Sequence, residues 1–122
     1  MWLYVGSMTA TTEEGLDAIL HALADRTRRD ILKRVLAGEQ SVTALASHYD
    51  MSFAAVQKHV AVIERAGLIT KRRSGRQRLA TGDLQAVRSV ATMLDELEEI
   101  WRGRIRRIDA LLDQTDKETP CP

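Results

Sequence analysis

The stretch SFAAVQKHVAVIERAGLI, residues 52–69, decides how the chain is read. Ser52 suits a helix N-cap because its hydroxyl can accept a hydrogen bond from a first-turn amide, and Gly67 is a natural stop. Between them, at about 100° per residue, Val56, Val60 and Ile63 fall near 0°, +40° and −20°, an arc narrow enough to mark a buried stripe. Gln57, Ala61, Ala54, Arg65 and Lys58 fall between about 100° and 200°, on the other side. Small residues let a helix approach the floor of a DNA major groove, while Gln and Lys reach base edges and phosphates. His59, near −60°, lies at the edge of the stripe. It is expected to pack there with one ring nitrogen toward backbone or phosphate.

Alone, that outward face would be no more than a solvated surface; its neighbours argue otherwise. Ser41 opens a short helix, VTALASHY, with Val42, Leu45 and Ala46 inward, and residues 50–52 make a tight connection to the next helix. A short helix, a three-residue turn and a second capped helix are the parts of a helix-turn-helix. After Gly67 the period changes, and residues 68–70 and 77–80 become short strand candidates around a Ser74-Gly75 turn. Lys71, Arg72, Arg73, Arg76 and Arg78 put five cations into eight residues with no acidic residue among them. The hairpin therefore reads as a wing that contacts phosphates, with an arginine near a minor groove.

Upstream, Leu16, Ile19, Leu20 and Leu23 lie at helical spacing over residues 13–24. Thr27 followed by Asp30 resembles a capping box for a helix with Ile31, Leu32, Val35 and Leu36 on its apolar face and Gly38 at its end. Downstream, Asp83 can cap a long helix to about residue 114. Along it Leu84, Val87, Ala91, Leu94, Trp101, Ile105, Ile108 and Leu112 form a heptad seam with one polar interruption at Glu98. This seam carries more apolar surface than so small a domain covers by itself. A homodimer is expected, joined through the N- and C-terminal helices, with Leu16, Leu20, Leu84, Val87, Leu94, Trp101, Ile105 and Ile108 at the interface. A twofold dimer of this kind reaches two half-sites of a palindromic operator about 34 Å apart. The expected fold is mainly α with a small β-hairpin wing, one winged helix-turn-helix domain over residues 1–122. Its parts are an N-terminal helix (13–24), a core (27–82), a dimerisation helix (83–114) and a tail (115–122).

The totals agree. A chain of 122 residues is the size of one domain. The net charge of +1 hides an asymmetry, because residues 41–82 carry seven Lys/Arg against two Asp/Glu. Such a local excess points to an anionic partner. Charges interrupt every window long enough to span a bilayer. The start, MWLYVGSM, has no basic segment or apolar core for a signal peptide, so a cytoplasmic protein is expected. Met8 leaves room for an internal start, with residues 1–7 as an upstream extension.

One cysteine, Cys121, excludes an internal disulfide framework and is expected to be a reduced thiol in the tail. The three histidines, His21, His48 and His59, have no second histidine or cysteine at i,i+4 spacing, so no metal site and no cofactor are expected. No acid/base pair, nucleophile constellation or phosphate loop suggests catalysis.

Residues 22–80 resemble the ArsR/SmtB winged-helix repressors of bacteria. ALADRTRRDIL, residues 22–32, is similar to the family's ALADPTRRxIL, with Arg26 in place of the proline. MSFAAVQKHVAVIERAGLI, residues 51–69, looks like its LSxxAVSxHLxxLxxAGLV recognition helix and exit. The resemblance implies that Ser52, Phe53, Ala54, Ala55, Gln57, Lys58 and His59 occupy the DNA-reading stretch. Gln57 stands where serine is common, so a relative's operator does not carry over. The metal sensors' Cys-x-Cys falls where this chain has SVTALASHY, and no histidine follows His59. The resemblance is thus to the branch without metal sites, which shares a pattern matched here by Trp101, Arg104, Ile105, Ile108 and Leu111. It implies a homodimeric repressor of double-stranded DNA, often an autorepressor. A small-molecule effector at the dimer interface or oxidation of Cys121 is the alternative input, and a winged-helix protein-interaction module the rival without DNA.

Overall fold

A computed structural model describes residues 12–118, with side chains through residue 114. The expectations for residues 1–7 and for Cys121 lie outside the described residues. The element order is α1 (Glu13–Leu23), α2 (Arg26–Ala37), β1 (Gln40–Ser41), α3 (Val42–Ala46), α4 (Phe53–Arg65), β2 (Ile69–Ser74), β3 (Gln77–Gly82) and α5 (Leu84–Glu118). The strands form one antiparallel sheet in the order β1-β3-β2. This is the mainly helical winged helix-turn-helix that the sequence predicts.

The stripe on α4 forms the middle of the core, with Val56, Val60 and Ile63 at most 1% exposed. Around it lie Ile19 and Ala22 of α1, Ile31, Leu32 and Val35 of α2, Leu45 of α3, and Leu68, Ile69 and Ala80 of the hairpin. Burying each branched side chain of this kind contributes about 1.5 to 3 kcal/mol, so these contacts orient α4. Gly67 makes the exit possible: its φ of +83° is a conformation that a Cβ disfavours. The chain leaves α4 there and enters β2 at once.

Caps set the helix starts. Ser41 Oγ accepts from Ala44 N–H at 3.0 Å, and Ser52 Oγ accepts from Ala55 N–H at 3.1 Å, as expected. The start of α2 is corrected. Its N-cap is Asp25, whose Oδ1 accepts from Arg28 N–H at 3.0 Å, and Thr27 already lies inside the helix. A carboxylate makes the stronger cap here because it also meets the positive end of the helix dipole. Asp83 does cap α5, accepting from Gln85 N–H at 2.9 Å.

Packing sharpens the apolar faces at three places. Gly15, Ile19 and Ala22 make the buried stripe of α1, leaving Leu16 half-buried and Leu20 exposed. Leu36 of α2 is exposed, although Ile31, Leu32 and Val35 are buried. The seam on α5 is not uniform: Val87 packs against the core of its own domain with Val90, while Leu84 is exposed. The wing strands run longer than expected, and β1 joins them by pairing Gln40 with Ala80 and Ser41 with Leu79.

Packing divides the chain at Val90, inside α5, into a first unit ending there and a helical second unit from Ala91. In the second, Leu94, Leu97, Ile100, Trp101, Ile105, Ile108 and Leu112 are all exposed. The charged flank carries ion pairs between Glu98 and Arg102 and between Glu99 and Arg106.

The turn before α4 is anchored by a polar contact. Tyr49 Oη donates to Asp30 Oδ2 at 2.6 Å, and Arg34 Nε donates to the same oxygen at 3.0 Å. Burial and the neighbouring carboxylate push the Tyr49 hydroxyl up to about 12, so it stays a donor. The Tyr49 and Arg34 hydrogen bonds hold the Asp30 carboxyl below its ordinary value of 3.8. Tyr49→Phe should lower the unfolding free energy by about 1 kcal/mol at neutral pH. A lowered carboxyl contributes stability that is full above its unfolded value and lost as pH falls through the folded one. The difference between the two proteins in urea melts should therefore close well below pH 3.8.

Candidate nucleic-acid interface

With its stripe fixed inward, α4 turns Ser52, Phe53, Ala54, Gln57 and Lys58 to solvent, and leaves Ala55 and His59 half-buried. Ser52 spends its oxygen as an acceptor in the cap, which leaves the O–H proton free to donate outward.

His59 is held by a residue that the sequence reading passed over. Arg28 Nη1 lies 3.3 Å from His59 Nδ1. Its guanidinium is itself placed by the carbonyls of Ala22, 2.8 Å from Nε, and His21, 3.2 Å from Nη2. A guanidinium has no acceptor, so Nδ1 must accept and the ring proton sits on Nε2. The edge-packing expected for His59 thus includes a fixed tautomer. Asp25, which caps α2, is drawn below its ordinary value first by the Arg28 backbone amide, with the Arg28 guanidinium adding attraction.

The wing register sets its charges. Lys71 stands opposite Ala80, Arg72 opposite Leu79 and Arg73 opposite Arg78, with Gly75 (φ +62°) in the turn. Like charges directly opposed across a hairpin destabilise it. Among the described residues, Arg73, Arg76 and Arg78 have no acidic partner.

The expectation that the wing lacks counter-ions is corrected for two residues. Lys71 Nζ meets Glu64 Oε1 of α4 at 3.2 Å. Arg72 donates twice to Glu39, from Nε to Oε2 at 2.8 Å and from Nη2 to Oε1 at 2.7 Å. Thr81 Oγ1 donates to Glu39 Oε2 at 2.9 Å. This arrangement holds the Glu39 carboxyl below its ordinary range and the Arg72 guanidinium above its own. Both acids lie outside the hairpin, so inspecting residues 71–78 alone could not find them. Arg72 ties the wing to the α2–β1 connection, on the face away from Arg73 and Arg78.

The structure brings several expected residues together. Phe53 and Gln57 of α4 share a cleft of about 300 Å³ with Lys71, Arg76 and Arg78 of the wing and Thr43 of α3. Lys58 does not line it. The cleft has an exposed glutamine on one wall and arginines on the other, which is the chemistry of a groove for a polyanion with readable edges. Among the described residues no cluster of three or more His, Cys, Asp or Glu is placed to hold a metal ion, and no helix is long and apolar enough to cross a membrane.

Comparisons with known proteins agree with the fold. Residues 23–72 match a helix-turn-helix domain family. The chain is similar to the HTH-type transcriptional regulator Rv2034 of Mycobacterium tuberculosis, 29% identical over 109 residues, covering 89% of this chain and 99% of that protein. It is also similar to the crystal structure of an ArsR family transcriptional regulator, RHA00566. That match has a TM-score of 0.71 and 34% identity over 75% of this chain and 94% of the other. The fold matches the homodimeric winged helix-turn-helix DNA-binding domain of Mb0332 from Mycobacterium bovis, with a TM-score of 0.59 and 23% identity over 70% and 81% of the two chains.

The Arg28 contact can be checked directly. Long-range proton–nitrogen NMR of neutral His59 should show the proton on Nε2. Arg28→Ala should let the ring populate both tautomers. A proton on Nδ1 in the wild-type protein would rule the contact out.

Proposed function

The chain belongs to the ArsR family of helix-turn-helix transcriptional regulators, and from that premise we propose that it is a homodimeric, sequence-specific DNA-binding repressor that works without a metal ion. The observation that carries the DNA reading is the readable outward face of α4 beside Arg73, Arg76 and Arg78, cations with no acidic partner among the described residues. In this reading Gln57 and Lys58 meet base edges. Ala54 and Ala55 let the backbone come close, and Ser52, His59 Nε2 and the three arginines hold phosphates. Arg72 acts at one remove, shaping the wing through Glu39.

Repression follows from occlusion of a promoter, its own among the candidates. Metal independence is favoured by the sequence at residues 41–49, where SVTALASHY offers no thiolate pair. Dimerisation is favoured by the second unit. Leu94, Leu97, Trp101, Ile105, Ile108 and Leu112 fall within about 80° of arc on one helix face, and all six are exposed. An uninterrupted apolar row of this length is what a second copy would cover. The homodimer reported for Mb0332 is in keeping with this arrangement.

Two measurements test the proposal. Log affinity for the operator should fall linearly with log salt, by roughly 0.9 per neutralised phosphate. Arg73→Glu with Arg78→Glu should flatten that slope, whereas Gln57→Ala should reduce discrimination between operator and random DNA more than it reduces total binding. Equal losses on both DNAs would remove Gln57 as a base reader. In sedimentation, the wild-type chain should run as a dimer and Trp101→Arg with Ile105→Arg as a monomer.

A further inference from the structure

Phe53 is the only phenylalanine in the chain, and it is not in the core. It opens α4 and is 45% exposed, while every large side chain on the inward face of that helix is buried. One turn later, at i+4, stands Gln57, and the two side chains line the same cleft against Arg76 and Arg78. Met51, on the other side of the Ser52 cap, is 36% exposed. The leading end of α4 is therefore an apolar tip beside a bidentate polar side chain, with cations facing it from the wing.

A ring left 45% exposed at this point forgoes part of the stabilisation of burial. The leading residues of a recognition helix are those that meet base edges. In the major groove, thymine alone offers an apolar group, its C5 methyl, to which a phenylalanine ring can pack. Gln57 complements this, because a glutamine amide matches N6 and N7 of adenine bidentately.

We propose that Phe53 is a specificity-determining residue that packs against the C5 methyl of a thymine in each half-site, adjacent to the base read by Gln57. The inference rests on the DNA-binding reading above and extends it: each half-site contains a thymine recognised through its methyl group. The face reads a group that cytosine, adenine and guanine lack, so the arginines of the wing supply affinity and Phe53 adds to the discrimination supplied by Gln57.

The test removes only that methyl. The full chain selects its preferred duplex from a random-sequence library, and each thymine of that duplex is then replaced in turn by uracil. At one thymine per half-site the substitution should weaken wild-type binding about fourfold, the factor for exposing one methyl group to water. The same substitution should have no effect on Phe53→Ala and a reduced effect on Phe53→Leu, which keeps an apolar side chain. Circular dichroism confirms folding of both variants. An enriched operator whose thymines can all be replaced without loss overturns the inference and leaves the DNA-binding reading standing. So does a uracil penalty that persists undiminished in Phe53→Ala. A library from which no sequence is enriched overturns sequence-specific binding itself, and the inference with it.

Discussion

The inward stripe of α4 is the constraint on which the rest depends. Val56, Val60 and Ile63 are held by residues from α1, α2, α3 and the hairpin at once. The helix therefore cannot roll without opening the core, and a rotation of one residue would take these side chains out by about 100°. The presentation of Gln57 and Lys58 is consequently a by-product of apolar packing. The polar contacts act at the two ends of the same element. Tyr49 and Asp30 fix the turn before it, Arg28 fixes His59 along it, and Lys71 with Glu64 fixes the strand after it. None of these is a deeply buried charge, so their value lies in direction more than in stability.

The wing separates into two faces by strand alternation. One face carries Lys71, Arg73 and Arg78, and the other carries Arg72 beside Thr81 and the Glu39 carboxylate. Neutralising all five cations internally would stabilise the hairpin and leave it nothing to offer a phosphate. Neutralising none would repel the strands. Pairing Lys71 and Arg72 at the root while leaving Arg73, Arg76 and Arg78 toward the tip resolves that conflict. Repulsion is tolerated where the strands are joined by a tight turn, and the attraction is spent where they meet the core.

Much of this was legible in the sequence because it is periodic or local. The α4 stripe and the Ser41, Ser52 and Asp83 caps follow from spacing within a few residues. Non-local pairings were not legible. Glu39 and Arg72 are 33 residues apart, as are no two members of any local motif, and β1 is two residues that exist as a strand only because β3 lies alongside. The misplaced start of α2 shows a local competition lost: Asp25 and Thr27 are both good caps, and the charged one prevailed two residues earlier. In α1 the larger leucines drew attention, yet Gly15 and Ala22 are buried because small residues permit close helix approach. Leu20 is left outward and Leu16 half-buried, while Leu23 packs against the core.

Outward leucines bear on assembly. Leu20 in the first unit and the row from Leu94 to Leu112 in the second are apolar surfaces that the described fold leaves exposed. In water such surface favours association by an amount roughly proportional to the area removed. A DNA-reading domain has a further reason to use it. One recognition helix meets only a few bases, and phosphate contacts beside such a helix are blind to sequence. Discrimination against a genome of competing sites has to come from adding half-sites, and two copies joined rigidly multiply their preferences where two free copies would not. In the homodimer proposed above, an exposed apolar helix face and a sparse reading surface would answer one requirement: a second copy joined through the first would bring the second into use twice.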